Sequence, residues 1–193
     1  MSDSFANSSI AERQALRARL RAAGQAFVAD ADFASRQSAL EGHLMSVIEQ
    51  LCADRLGVYW AVQSEFDVAA WCVGHRALEG TPLALPFSFR DPVRMEYRHW
   101  NRLPPPLRDE CGIAACEGPV VVPDVVLVPC LGYTASGLRL GHGGGYFDRW
   151  LAAHPHVTAV GVGWSVCELE DAELRPQPHD IPMACVVNEH GVR

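Results

Sequence analysis

The chain has 193 residues, of which 49% are hydrophobic, with a formal net charge of -7 and a pI near 5.6. That is enough length for one hydrophobic core, and an acidic balance with no basic block excludes the electrostatic footprint of a general nucleic-acid binder. The 16 Lys+Arg residues are all Arg, so Schiff-base, P-loop-lysine and lysine-base mechanisms are excluded as well.

From the N-terminus, Ser9-Ile-Ala-Glu12 has the form of a capping box, and Leu16, Leu20, Ala23 and Phe27 recur at helical spacing, predicting a helix over about 10–29. Asp32 or Ser35 could cap a second helix with an apolar stripe through Leu40, Leu44, Val47, Ile48 and Leu51, ending near Cys52. Residues 58–62 read as a short strand and 67–76 as a third helix. Residues 83–89 and 93–97 read as two strands joined by a turn at Arg90-Asp91-Pro92. Residues 101–123, with Pro104, Pro105 and Pro106 and little periodicity, are expected to be a long surface connection.

Val125-Val126-Leu127-Val128 is apolar at every position, as a parallel strand covered on both faces requires. A helix over about 145–153, a strand over 157–162, a polar stretch over 167–178 and a last strand over 183–187 follow. Strands alternating with helices predict a single domain over residues 1–193, a three-layer α/β/α sandwich with a largely parallel central sheet. The seven cysteines are scattered without a C-x-x-C pair and read as free thiols of a reducing compartment. The first thirty residues carry no basic region followed by an apolar stretch, and no run approaches a membrane span, so a cytoplasmic location is expected.

The chemistry is concentrated in the Gly-rich loop at 139–147. Unpaired backbone N–H groups at a helix start carry partial positive charge, and Gly141, Gly143, Gly144 and Gly145 let that backbone approach phosphate oxygens without Cβ obstruction. Arg139 and Arg149 flank it with charge, and the loop follows the most apolar strand, where ligands of open α/β sheets sit. It is neither a Walker A nor a dinucleotide fingerprint, and glycine content alone is equally compatible with a turn that packs helix against strand.

The block "GLRLGHGGGYFDRWL" (137–151), with Val128-Pro129-Cys130 before it, strongly resembles the signature of the 5-formyltetrahydrofolate cyclo-ligase, or methenyltetrahydrofolate synthetase, family. "RQALRARLR" (13–21) looks like that family's basic helix, "VYWAVQSEFD" (58–67) like its folate-contacting segment and "PQPHDIPMACVVNEHGV" (176–192) like its closing strand. The resemblance implies ATP as co-substrate, held by Arg13, Arg17, Arg139, Leu140, Gly141, His142, Gly143, Gly144, Gly145, Tyr146 and Phe147. It implies a reduced folate against Glu65, Trp60 and Tyr146, with Arg139 and Tyr146 catalytic and Mg2+ on Asp148 and Asp180. The expected partners are these small molecules alone, with no nucleic acid and no membrane, for a monomer or a dimer.

The chain departs from the family pattern at three places. Tyr133-Thr134 stands where members often have Phe-Asp, Phe147 where many have Tyr, and Arg13 where Lys is usual. Each implied residue also has a plainer reading: Arg13, Arg17 and Arg21 as a solvated helix face, Asp148 as an acid beside a helix dipole, Trp60 and Met95 as core. A non-catalytic folate- or nucleotide-binding relative and a sugar-phosphate isomerase-like enzyme are the alternatives.

Overall fold

The structure, a computed structural model, describes the backbone over residues 2–193 and side chains from residue 11 onward. Helix α1 runs Ser2–Val28, so Ser9 lies inside it rather than capping it. No Pro or Gly precedes Gly24 to stop the helix propagating backward. Helix α2 (Phe33–Leu51) has Asp32 at its N-cap position, although that carboxylate bonds no helix N–H, and ends where Cys52 turns left-handed at φ 48°. Leu40, Leu44 and Ile48 form its buried stripe.

The expected strand at 58–62 is displaced. The paired residues of β1 are Leu56–Gly57. Val58 N–H still bonds the Ala84 carbonyl at 2.9 Å, after which the chain leaves the sheet and turns across its end. The apolar run there reflects burial of Val58 and Tyr59, not ladder pairing. Helix α3 (Val68–Gly74) is capped by Asp67, whose carboxylate accepts the Ala70 N–H at 3.0 Å. Strands β2 (Leu83–Arg90) and β3 (Val93–Trp100) form an antiparallel hairpin, with Leu83 opposite Trp100 and Arg90 opposite Val93.

Within 101–123 the structure has three short strands rather than a bare connection. β4 (Leu107–Arg108) pairs with β5 (Ala114–Ala115), and β6 (Val120–Val121) adds to the edge of β3. Two-residue strands are too short to leave a period in the sequence. Then come β7 (Val125–Pro129), β8 (Gly132–Thr134), β9 (Arg139–Leu140), α4 (Tyr146–Ala153) and β10 (Thr158–Val162). β11 (Glu168–Leu169), β12 (Cys185–Asn188) and β13 (Gly191–Val192) close the chain.

The main sheet has the order β13-β12-β10-β7-β1-β2-β3-β6, and its central strands from β12 to β2 are parallel. A small sheet, β11-β8-β9, sits beside it. Alternation along β7 divides the core. Val125 and Leu127 join the buried cluster built on α2 and α3, whereas Val126 and Val128 join Trp150 and Leu151 of α4. Helices thus cover both faces of a mostly parallel sheet, as expected from the sequence.

Candidate active site

Because the central strands are parallel, their C-terminal ends lie along one edge, and the turns leaving them converge there. After β1 come Tyr59, Trp60 and Glu65; β2 presents Pro86 and Ser88; β7 ends in Pro129; and the Gly-rich loop runs from β9 into α4. Together with the Arg13–Arg17–Arg21 face of α1 and the 177–180 turn they line a cleft of about 670 Å³.

The loop has the backbone conformation its glycines allow. Gly143 and Gly145 have φ of 110° and 63°, a region that L side chains avoid. Gly145 is the N-cap of α4 and supplies no side-chain cap, so the first N–H groups of the helix are left for a ligand. Arg17 holds the loop from outside: its Nε donates to the Gly141 carbonyl at 2.9 Å, and its guanidinium lies where a Cβ on Gly143 would touch it. Arg149 Nη1 donates to the Gly144 carbonyl at 2.7 Å.

Of the carboxylates that line the cleft, Asp148 and Asp180 are each paired with an arginine. Arg139, buried, donates from Nη2 to Asp148 Oδ2 at 2.8 Å, and Asp148 Oδ1 accepts the Ile181 N–H at 3.3 Å. Arg13 Nη2 donates to Asp180 Oδ2 at 2.7 Å and to the Arg175 carbonyl at 2.8 Å. Burial pushes the Asp180 carboxyl up, but the Arg13 hydrogen bond, the Gln177 N–H and the charges of Arg13 and His179 outweigh it and hold the group below the ordinary aspartate range. Burial, then the neighbouring charges of Arg13 and Arg21, draws the Arg17 guanidinium below its usual value.

Among the described residues no group of three or more His, Cys, Asp and Glu gathers as a metal cage. Asp148 and Asp180, hard oxygen donors on the wall of an arginine-lined cleft, are of the chemical type that would suit Mg2+.

Across the cleft Glu65 accepts the Val62 N–H on Oε2 at 2.9 Å and His142 Nε2 on Oε1 at 2.8 Å. Tyr146 is hydrogen-bonded to Cys111, with 3.1 Å between the phenol oxygen and the thiol sulfur. That contact, with burial second, pushes the phenol to about 12, so it stays neutral near pH 7. Phe147 lies beneath the Arg139 guanidinium, 5.5 Å from ring centroid to Cζ.

Every residue to which the family resemblance gives a site role lines this cleft except Leu140, and Arg149, which flanks the loop, is also outside the lining. The Leu140 side chain is 1% exposed and packs in a separate cluster with Leu20 of α1. Thr134, where members of the family often have Asp, is buried and bonds Ser136, whose hydroxyl in turn bonds Asp171 Oδ1 at 2.7 Å.

The sequence reading missed Tyr59, Ser88, Asp109 and Ile113. Tyr59 is 2% exposed, and its hydroxyl has no hydrogen-bond partner among the described residues; burial keeps it un-ionised. Asp109 accepts the N–H groups of Ser88, Cys111 and Ile113, fastening the β4–β5 turn to β2. Its setting in Arg108-Asp109-Glu110 carries no sign of this, because a charged triplet normally marks a solvated turn.

Fold and site together define an α/β protein with a Gly-rich loop at a helix N-terminus and an arginine-lined cleft at the C-terminal edge of a mostly parallel sheet. The chain matches the 5-formyltetrahydrofolate cyclo-ligase family over residues 9–189 and belongs to it. It is 42% identical over 67 residues to the 5-formyltetrahydrofolate cyclo-ligase of Mycolicibacterium smegmatis, covering 33% of this chain and 32% of that protein. With the Escherichia coli protein of the same name the identity is 36% over 70 residues, 36% of this chain and 38% of the other. These matched stretches span only about a third of the curated relatives' length. The fold is similar to a 5,10-methenyltetrahydrofolate synthetase from Mycoplasma pneumoniae, with a TM-score of 0.72 and 16% identity over 92% of this chain and 98% of that one. It is also similar to the 5,10-methenyltetrahydrofolate synthetase of Aquifex aeolicus, with a TM-score of 0.69 and 25% identity over 92% of each.

Proposed function

We propose that this chain converts 5-formyltetrahydrofolate and ATP to 5,10-methenyltetrahydrofolate, ADP and phosphate. The observation that carries the reading is that one cleft is lined by the Gly-rich loop, Arg13, Arg17, Arg139, Asp148, Asp180 and Glu65. Anion donors and a buried hydrogen-bond acceptor for a heterocycle face the same cleft.

A formamide oxygen leaves poorly and its carbon is a weak electrophile. In this mechanism the formyl oxygen attacks the γ-phosphorus, forming an O–P bond as the bond to ADP breaks. N10 then attacks the activated carbon, the carbon–oxygen bond breaks to release phosphate, and the N10 proton passes to solvent. Phosphoryl transfer of this kind depends on positioning and charge neutralisation rather than on a protein nucleophile.

In this scheme the loop N–H groups and Arg13, Arg17 and Arg139 hold the phosphates, and Glu65 accepts N–H groups of the pterin. Trp60 and Tyr146 flank the folate, the neutral Tyr146 phenol acting as donor or packing surface. Asp148 and Asp180 would hold Mg2+, which supplies charge neutralisation at the phosphates when bound. Their arginine partners must give way or share the carboxylates when Mg-ATP enters.

The test is the near-ultraviolet absorbance rise of methenyltetrahydrofolate on mixing protein, 5-formyltetrahydrofolate, Mg2+ and ATP, with ATP omitted as control. An ATP-dependent rise is expected, falling roughly a hundredfold or more in Asp180→Asn and Asp148→Asn if each loses a phosphate-neutralising contact. No rise, with folate still bound, would mean a binding protein; normal turnover in both variants would remove the metal assignment.

A further inference from the structure

The nucleotide loop and the folate-side acid are joined by a single side chain. His142 lies in the loop between Gly141 and Gly143, yet its imidazole points across the cleft and meets Glu65, 77 residues earlier, at 2.8 Å. An ionised carboxylate can only accept, so His142 Nε2–H is the donor. We propose that His142 is a positioning residue for Glu65, coupling occupancy of the Gly-rich loop to recognition of the folate. The inference rests on the cyclo-ligase reading and extends it.

The surroundings make this contact decisive for the orientation of Glu65. The backbone of the 62–65 turn is already fixed, by Glu65 N–H to the Val62 carbonyl at 3.2 Å and by Trp164 Nε1–H to the Ser64 carbonyl at 2.7 Å. The carboxylate itself is only 9% exposed and has two contacts. Its bond to the Val62 N–H is local; His142 supplies the one from the far wall. Each carboxylate oxygen has a second lone pair, so these two donors can set the plane of the group and still leave acceptor sites for substrate N–H groups.

The other end of the contact is attached to the phosphate site. Arg17 bonds the carbonyl of Gly141, immediately before His142, and packs on Gly143, immediately after it. An anion that draws Arg17 or the loop N–H groups toward itself shifts His142 with them, and Glu65 follows. The coupling is reciprocal, so a folate bound to Glu65 changes nucleotide affinity by the same factor.

The experiment is calorimetric titration of the full chain with 5-formyltetrahydrofolate, alone and with saturating β,γ-imido-ATP, and with that nucleotide alone. In His142→Ala the folate is expected to bind roughly tenfold more weakly, the loss for one hydrogen bond to a charged group. Nucleotide affinity alone should fall by a smaller factor than folate affinity, because the substitution leaves in place the loop amides and the Arg13, Arg17 and Arg139 side chains that hold the phosphates. The factor by which nucleotide alters folate affinity should fall to one, and His142→Gln, which keeps a donor, should restore part of both effects. Unchanged folate affinity in His142→Ala, or no coupling in the unaltered chain, overturns the proposal. So does equal loss of both ligands with a lowered melting temperature, which marks a purely structural side chain. Failure of the unaltered chain to bind the folate at all overturns the cyclo-ligase reading together with this inference.

Discussion

Arg13 and Asp180 are 167 residues apart in sequence and 2.7 Å apart in space, so their pairing is a direct measure of whether α1 is seated on the cleft. The Asp180 carboxyl is held below the ordinary aspartate value, about 3.9 in an unfolded chain. A depressed carboxyl contributes stability that is present above its unfolded value and is lost as pH falls through its folded one. The stability difference between the unaltered chain and Arg13→Ala is therefore expected to be constant from about pH 5 to 7 and to shrink below about pH 3.5 to what the non-titrating bond to the Arg175 carbonyl contributes. Urea titrations at stepped pH would check it, and a difference at about pH 2 as large as that at about pH 7 would mean that the Asp180 ion pair contributes nothing. At this scale the arginines and both aspartates could be found in the sequence because they sit in blocks whose order resembles a known family, the central one highly specific and the N-terminal one not. Asp109 and Tyr59 could not, because their role depends on neighbours brought by β2 and by the end of β1.

Among the elements, the hairpin edge is the least tolerant of added volume. A Cβ on Gly118 would lie 2.0 Å from the His99 carbonyl oxygen, a backbone atom that cannot move without breaking the β3–β6 pairing. Gly42, in the exposed interior of α2, has nothing within 4 Å. Gly118→Ala is thus expected to cost about 3 kcal/mol or more, and Gly42→Ala to stabilise by about 0.5–1 kcal/mol, both read by denaturant midpoint. Equal shifts in the two would contradict the packing described at the edge. Long elements were legible in advance: α2 from its stripe, β7 from its unbroken apolar run, and β2 and β3 to within a few residues. The two-residue strands were not, since their pairing is decided by β3 and the neighbouring loop rather than by their own residues.

At the level of the molecule, packing of helices on both sheet faces governs access to the thiols. All seven cysteines are free; Cys52 is exposed, whereas Cys72, Cys116, Cys130 and Cys167 are buried. Burial pushes Cys72 and Cys130 to about 12 and Cys167 to about 11, well above the pH at which a thiolate forms in water. Brief iodoacetamide treatment at pH 8 should modify Cys52 first and leave those four intact until denaturant is added, as mass spectrometry of the peptides would show. Native-state modification of Cys130 at the rate of Cys52 would mean that the β7 face opens readily. The layered architecture was legible from strand–helix alternation, whereas the strand order was not, because β1 contributes only two residues to the middle of the sheet. The tie between α1 and the 177–180 turn also bears on how the chain is made. A ribosome adding about 5–20 residues per second would release α1 roughly 8–35 s before the residue that Arg13 must meet. Throughout that interval the first helix exists as a nascent segment with its arginine face unmatched. The Arg13–Asp180 contact can form only once residue 180 has been made, so a polypeptide stalled before it would carry the Gly-rich loop without the 177–180 turn that lines the cleft beside it.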